Sequence, residues 1–215
     1  MKSFLFHFAI LAAFVPALVF PSALIAAEEQ PYIVKPLAQK KVAQLPAGPL
    51  YWRVETFPSL SDAKAAVGPD GWDPAAVRYR TTTALISEVD GKVYVATLGS
   101  KGDATPGGTK LAEVGPLPPV SASEYLLRLN YGSGPPGSKT PVHSHPGSES
   151  FYVIRGRLGQ KTPDGTAYVD AGQTMNGHLA QTTMQVFNGG TTEVQALIMF
   201  LVDASKPFSV PAKFE

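Results

Sequence analysis

The chain has no cysteine among its 215 residues. That absence removes disulfides, thiolate nucleophiles, cysteine-ligated zinc and iron–sulfur clusters, and an acylated cysteine, so any metal chemistry rests on His, Asp or Glu. No charge sign dominates either. Eighteen basic residues against 17 acidic leave a net charge of +1 with no run of like charge, whereas a phosphate backbone needs a concentrated positive field. Nucleic acid is therefore not an expected partner. No Gly-x-Ser-x-Gly segment occurs, so serine hydrolase chemistry has no starting point. Helical periodicity is absent beyond one short stretch, and no internal repeat is found.

Glycine and proline, 20 of each, exceed average usage yet stay below the roughly 25–30% that accompanies disorder, which favours a turn-rich β protein. A hydrophobic content of 44% suits one domain with a substantial core. One long apolar run stands apart. Residues 4–25 follow Lys2 and end at Ala26-Ala27, just before Glu28-Glu29. This reads as a secretory signal peptide, residues 1–27, removed after Ala27. The run is about as long as a bilayer span of roughly 20 residues, but His7, Pro16 and Pro21 argue against a permanent anchor. The expectation is an exported protein, periplasmic or secreted, with no membrane contact after processing. Its mature domain, residues 28–215, has balanced charge and three histidines.

Within that domain, residues 28–50 carry scattered prolines and Lys40-Lys41 and read as an N-terminal arm. Residues 50–57 look like a strand. Ser59 to Asp62 then supply N-cap chemistry for a short helix through the Ala-rich stretch 63–67. Asp90-Gly91, a dipeptide that tolerates positive φ, separates β-formers at 81–89 and 92–98 and predicts a hairpin. Glycine- and proline-rich connections follow. Residues 125–131, 151–161, 166–169, 184–187 and 193–202 then read as strands, with Pro163-Asp164-Gly165 as another turn. The economical fold class is mostly β, an antiparallel barrel or sandwich with one short helix.

All three histidines of the mature chain fall between 143 and 178. Residues two apart on a strand share a face, so His143 and His145 can reach one point. Glu149, after the turn Pro146-Gly147-Ser148, can swing to the same point. Two imidazoles and one carboxylate form a facial set that leaves coordination positions open. Without a metal, the same residues read as exposed polar groups after Pro141 and a strand-start acid. His178 follows the turn dipeptide Asn176-Gly177 and is either a solvated loop imidazole or a displaced fourth ligand. Phe151 and Val153 share parity with Glu149 and are candidate cavity walls. Arg155 and Arg157 are candidates for holding an anion or for lying along the rim.

The pattern Gly137, five residues, His143-Ser144-His145, three residues, Glu149, six residues, Gly156 resembles the first signature motif of the cupin superfamily. The resemblance covers residues 125–202 well and the preceding part loosely, and implies a single jelly-roll β-barrel of cupin type. The second family motif, which normally supplies a further histidine ligand and an asparagine, is altered here. With one inserted residue after Gly172, Met184 takes the histidine position and Asn188 the asparagine position. A thioether is a soft, weak donor in such a site, so Met184 is read as cavity lining. The resemblance implies one divalent transition metal (Fe, Mn, Ni, Cu or Zn), a small organic molecule as partner, and by analogy a homodimer. The chemistry it suggests first is dioxygenase-like. A non-catalytic small-molecule-binding or structural barrel with a depleted metal site is the alternative.

Overall fold

The computed structural model describes residues 30–68 and 83–215. The signal peptide read at 1–27 lies outside the described residues, as do the first two residues of the strand read at 81–89. The N-terminal half contributes β1 (Ile33–Val42), β2 (Tyr51–Phe57), helix α1 (Leu60–Val67), β3 (Ala84–Val89), β4 (Lys92–Gly99) and β5 (Thr109–Val114). Then follow β6 (Tyr125–Gly134), β7 (His143–Ser144), β8 (Gly147–Arg155), β9 (Arg157–Thr162) and β10 (Gly165–Asp170). The chain ends with β11 (Thr174–Met175), β12 (Gln185–Asn188), β13 (Val194–Asp203) and β14 (Val210–Pro211). The fold is mostly β, and its strand pairs are antiparallel.

The central sheet has the order β1-β6-β13-β8-β11. Its middle strand β13 reads Val-Gln-Ala-Leu-Ile-Met-Phe-Leu-Val-Asp and is almost wholly buried. A strand that is apolar at successive positions must be covered on both faces, and β13 is. Leu197, Met199 and Leu201 join Trp52, Val54, Tyr94 and Leu98 of a four-stranded sheet, β3-β4-β2-β5. Ala196, Ile198, Phe200 and Val202 face the other way, into a core with Phe151, Val153, Leu158, Val169 and Val186. Leu158 and Val169 belong to a third sheet, β10-β9-β12. The candidate site therefore lies on one face of the central sheet, and the N-terminal sheet supports the other.

Local chemistry accounts for the connections. In the β3–β4 hairpin Asp90 and Gly91 take φ of 49° and 73°, the doubly positive pair of a type I′ turn. Ser59 caps α1, its hydroxyl accepting from the Asp62 amide at 3.1 Å, and the helix buries Ala63 and Val67 against Phe57, Val93 and Val95. The stretch 151–161, expected as one strand, is two. Gly156 has φ of 74°, and a Cβ there would sit 2.5 Å from the Glu193 carbonyl, so the chain turns at this glycine and leaves the central sheet for the third.

The segment read as an arm at 28–50 contributes β1, which pairs with β6 from Ile33↔Ser133 to Val42↔Tyr125 at the edge of the central sheet. Its register shifts between Pro36 and Ala38, as an edge strand with a proline allows. Strand β5 was not expected. Lys110 and Glu113, joined by an ion pair at 3.3 Å, hide its alternation.

Candidate metal centre

Three short connections bring the candidate ligands together. β7 is held on one side by β14, through Val210↔Ser144 and Pro211↔His143. On the other side His143 and Met184 exchange backbone hydrogen bonds of 2.9 and 2.8 Å. The turn at Pro146 then leads into β8, where Glu149 lies opposite Phe200 of β13. Ligand atoms of His143, His145 and Glu149 all lie within 4.8 Å of one another. His145 Nε2 is 4.0 Å from Glu149 Oε1.

Both imidazoles are oriented by main-chain oxygens. His143 Nδ1 lies 2.7 Å from the Pro141 carbonyl and His145 Nδ1 lies 2.6 Å from the Phe208 carbonyl. A carbonyl can only accept, so each Nδ1 donates and each Nε2 is left to face the centre, the outer-shell arrangement that orients metal-binding histidines. The His145 ring also packs against Phe200 and Phe208, with centroids 4.9 Å apart in each pair.

Electrostatics agree with a place for a cation. Burial pushes the Glu149 carboxyl up to about 8, because an ionised carboxylate is costly to desolvate unless a positive partner is close. Burial is also the main reason that His145 is held down at about 4, with His143 and Arg128 adding to it against the opposing hydrogen bond from Phe208. The centre thus offers a neutral imidazole and a carboxyl that gains most from a cation. Nitrogen and oxygen donors of this kind suit the divalent first-row metals.

His178 is not part of this group. Its Nε2 lies 3.0 Å from Gln160 Oε1, and the Gln160 amide nitrogen in turn reaches Met184 Sδ at 3.3 Å and Glu149 Oε2 at 3.5 Å. The histidine read as either a loop imidazole or a displaced ligand therefore stands behind the carboxylate, one residue removed. Met184, fully buried, places its sulfur beside that same amide. Val186 and Asn188, on the same side of the strand as Met184, are buried with it. Asn188 fixes the following turn, donating to the Gly134 and Thr192 carbonyls at 2.9 and 2.7 Å.

A cavity of about 390 Å³ opens onto the three ligands. Its walls are Tyr32, Val34, Asn130, Thr140, Pro141, Val142, Val186, Ile198, Phe200, Phe208, Ser209 and Pro211. Phe151, Val153 and Met184, read as its lining, are buried beside it and are not on this wall. The reason for Phe151 and Val153 is the core of the facing sheets, which takes both side chains. Arg155 is not on the wall, and Arg157 lies over the Tyr168 ring and 3.6 Å from Asp170.

Sequence reasoning missed Tyr32, Gln160 and Phe208. Gln160 had a signal: it shares parity with Leu158 and Thr162 on β9, and all three are buried. Tyr32 and Phe208 had none, since each reaches the site from far along the chain, Phe208 meeting His145 across 63 residues.

No protein-family model matches the chain, and no curated protein matches it. Among solved structures, a cupin-like protein from Thermotoga maritima is 15% identical, with a TM-score of 0.37. That match covers 40% of this chain and 64% of the other, so slightly less than two thirds of that relative is spanned. A conserved protein with a double-stranded β-helix domain from Klebsiella pneumoniae is 17% identical over 41% of this chain and 76% of its own, with a TM-score of 0.36. Oxalate oxidase in complex with the substrate analogue glycolate is 25% identical over 39% of this chain and 45% of its own, with a TM-score of 0.34. The structural neighbours of this chain are thus cupin and double-stranded β-helix proteins.

Proposed function

We propose that this chain binds one divalent transition metal through His143, His145 and Glu149 and acts, after export, as a dioxygenase-like enzyme on a small organic molecule held in the adjoining cavity. The observation that carries the reading is the convergence of three metal-binding atoms within 4.8 Å at the end of a largely apolar pocket. Proteins place a buried carboxylate beside imidazoles whose outer nitrogens are tied to carbonyls when a cation completes the site. A metal held there would supply Lewis acidity at its open positions and, for iron, manganese, nickel or copper but not zinc, redox capacity. The chain's own residues do the rest. The carbonyls of Pro141 and Phe208 hold the imidazoles, Gln160 steadies the carboxylate, and Phe200, Phe208 and Ile198 give the cavity apolar walls.

The test is oxygen consumption by protein reconstituted with iron, manganese, nickel, copper or zinc in turn, offered a panel of phenolic and thiol compounds. Consumption that needs one metal and one substrate class supports the enzyme. A second reading, a non-catalytic barrel, has one observation in its favour: the thioether of Met184 lies beside the Gln160 amide, where the cupin resemblance puts a ligand imidazole. Absence of consumption with every metal selects that reading.

Export is part of the proposal and rests on the apolar run at residues 4–25. The homodimer expected by analogy would use the outer edge of β1, which among the described residues pairs in the sheet with β6 alone.

A further inference from the structure

The polar groups of the cavity, apart from the three ligands, indicate what it would hold. This inference rests on the reading of the cavity as a ligand site. Among the described residues its wall is mostly aliphatic and aromatic and includes no lysine or arginine. Arg128 stands behind this wall, over the Phe208 ring and bonded through Nε to Asn130 Oδ1, so a polyanion would meet no cation on the wall itself apart from a metal, and burying it unpaired is strongly unfavourable. The volume, about 390 Å³, exceeds the roughly 150 Å³ that admits benzene.

One side chain on this wall is incomplete. Tyr32 is only 6% exposed, and its hydroxyl is buried with no hydrogen-bond partner among the described residues. A buried hydroxyl without a partner is unusual in a native protein and calls for an explanation. A phenol keeps its proton at neutral pH, so this hydroxyl can donate. The space it occupies is reserved by sequence: a Cβ on Gly132 would stand 2.7 Å from the Tyr32 hydroxyl. Nearby on the same wall, Asn130 accepts from Arg128 Nε through Oδ1 at 2.8 Å, which leaves its amide nitrogen as a second neutral donor.

We propose that the cavity selects a small, mainly apolar, uncharged molecule of aromatic-ring size bearing a hydroxyl or carbonyl oxygen, and that the Tyr32 hydroxyl donates to that oxygen. Tyr32 is then a specificity-determining residue brought to the metal ligands by the start of β1. A neutral hydrogen bond of this kind contributes about a five- to tenfold preference for the oxygenated ligand.

The experiment compares three probes of one shape, 4-methylphenol, toluene and 4-methylbenzoate, by calorimetry on the metal-free and the zinc-loaded protein. The wild type is expected to bind 4-methylphenol most tightly. Tyr32→Phe is expected to weaken 4-methylphenol about five- to tenfold and to leave toluene unchanged, and Gly132→Ala, which crowds the hydroxyl, to act in the same direction. The inference is overturned if Tyr32→Phe alters both neutral probes equally or neither, if 4-methylbenzoate binds best in the metal-free protein, or if no neutral probe binds at all. Zinc content is measured on the same samples. Failure to take up zinc would sink the proposed metal site while the Tyr32 comparison in metal-free protein still decides this inference.

Discussion

His145 donates from Nδ1 to the carbonyl of Phe208, 63 residues further along the chain, at 2.6 Å. The C-terminal segment thereby sets the orientation of an imidazole in the middle of the candidate centre. The Phe208 ring reinforces this, packing tilted on His145 and edge-on to Phe200 and lying 4.3 Å beneath the Arg128 guanidinium.

A chain ending at residue 206 loses the carbonyl, the ring and strand β14, which holds β7 at His143. Loss of an outer-shell partner typically costs about 10- to 100-fold in metal affinity, and that range is expected here from competition with a chelator of known affinity. Phe208→Ala keeps the carbonyl and is expected to lose less. Equal affinity in the truncated and full-length proteins would show that neither the Phe208 carbonyl nor β14 sets the candidate centre.

Met184→His tests the altered position directly. The backbone of Met184 is paired with that of His143, and its sulfur lies beside the amide that contacts Glu149. An imidazole there adds a borderline donor in place of a soft one. The expected outcome is a rise in zinc affinity of at least about tenfold, since one added ligand is worth more than a second-shell contact. Unchanged affinity would mean that position 184 does not face the metal.

The two shifted groups give a signed dependence on pH. Folded Glu149 keeps its proton up to about 8 against an ordinary value of 4.5, so its contribution to stability is largest at low pH and is lost as pH rises toward 8. Folded His145 titrates near 4 against 6.5, so its contribution is missing at low pH and is complete above 6.5. The two oppose each other between 4.5 and 6.5. Above 6.5 only Glu149 acts, and metal-free protein is expected to lose thermal stability from pH 6.5 to 8. Saturating zinc should remove this decline, because the metal takes the place of the proton. Calorimetry in buffers of different ionisation enthalpy should show net proton release on zinc binding at pH 7. A metal-free melting temperature that rises across this interval would contradict the account of Glu149.

Leu197 and Ile198 test the assignment of the two faces of β13. Leu197 is buried toward the N-terminal sheet and Ile198 lines the cavity. Leu197→Ala is expected to cost about 2–5 kcal/mol of stability, as large-to-small changes in a packed core do, with metal stoichiometry unchanged. Ile198→Ala should instead enlarge the cavity and change ligand affinity. Both readouts come from denaturant unfolding and metal analysis of the two variants.

The candidate metal ligands were legible because they are local. His143, His145 and Glu149 span seven residues: the two-residue period pairs the histidines, and the short turn at Pro146 lets Glu149 swing to the same point before any tertiary contact is known. The hairpin at Asp90-Gly91 and the helix after Ser59 were legible for the same reason, since turn and cap chemistry is written in adjacent residues. The rest required long-range pairing. Tyr32 reaches the cavity only because β1 lies against β6, and Phe208 only because β14 lies against β7. Gly156 was recognised as part of a motif, but the turn it makes between two sheets follows from the nearby Glu193 carbonyl, which no local pattern reveals. The prolines and lysines of β1 hid an edge strand.

Elemental analysis of the purified protein beside a variant with His143, His145 and Glu149 all changed to alanine addresses the central claim most directly. The account predicts close to one equivalent of a divalent transition metal per chain in the wild type, as isolated or after reconstitution, and none in the variant. No bound metal after reconstitution, or the same content in both proteins, would contradict it.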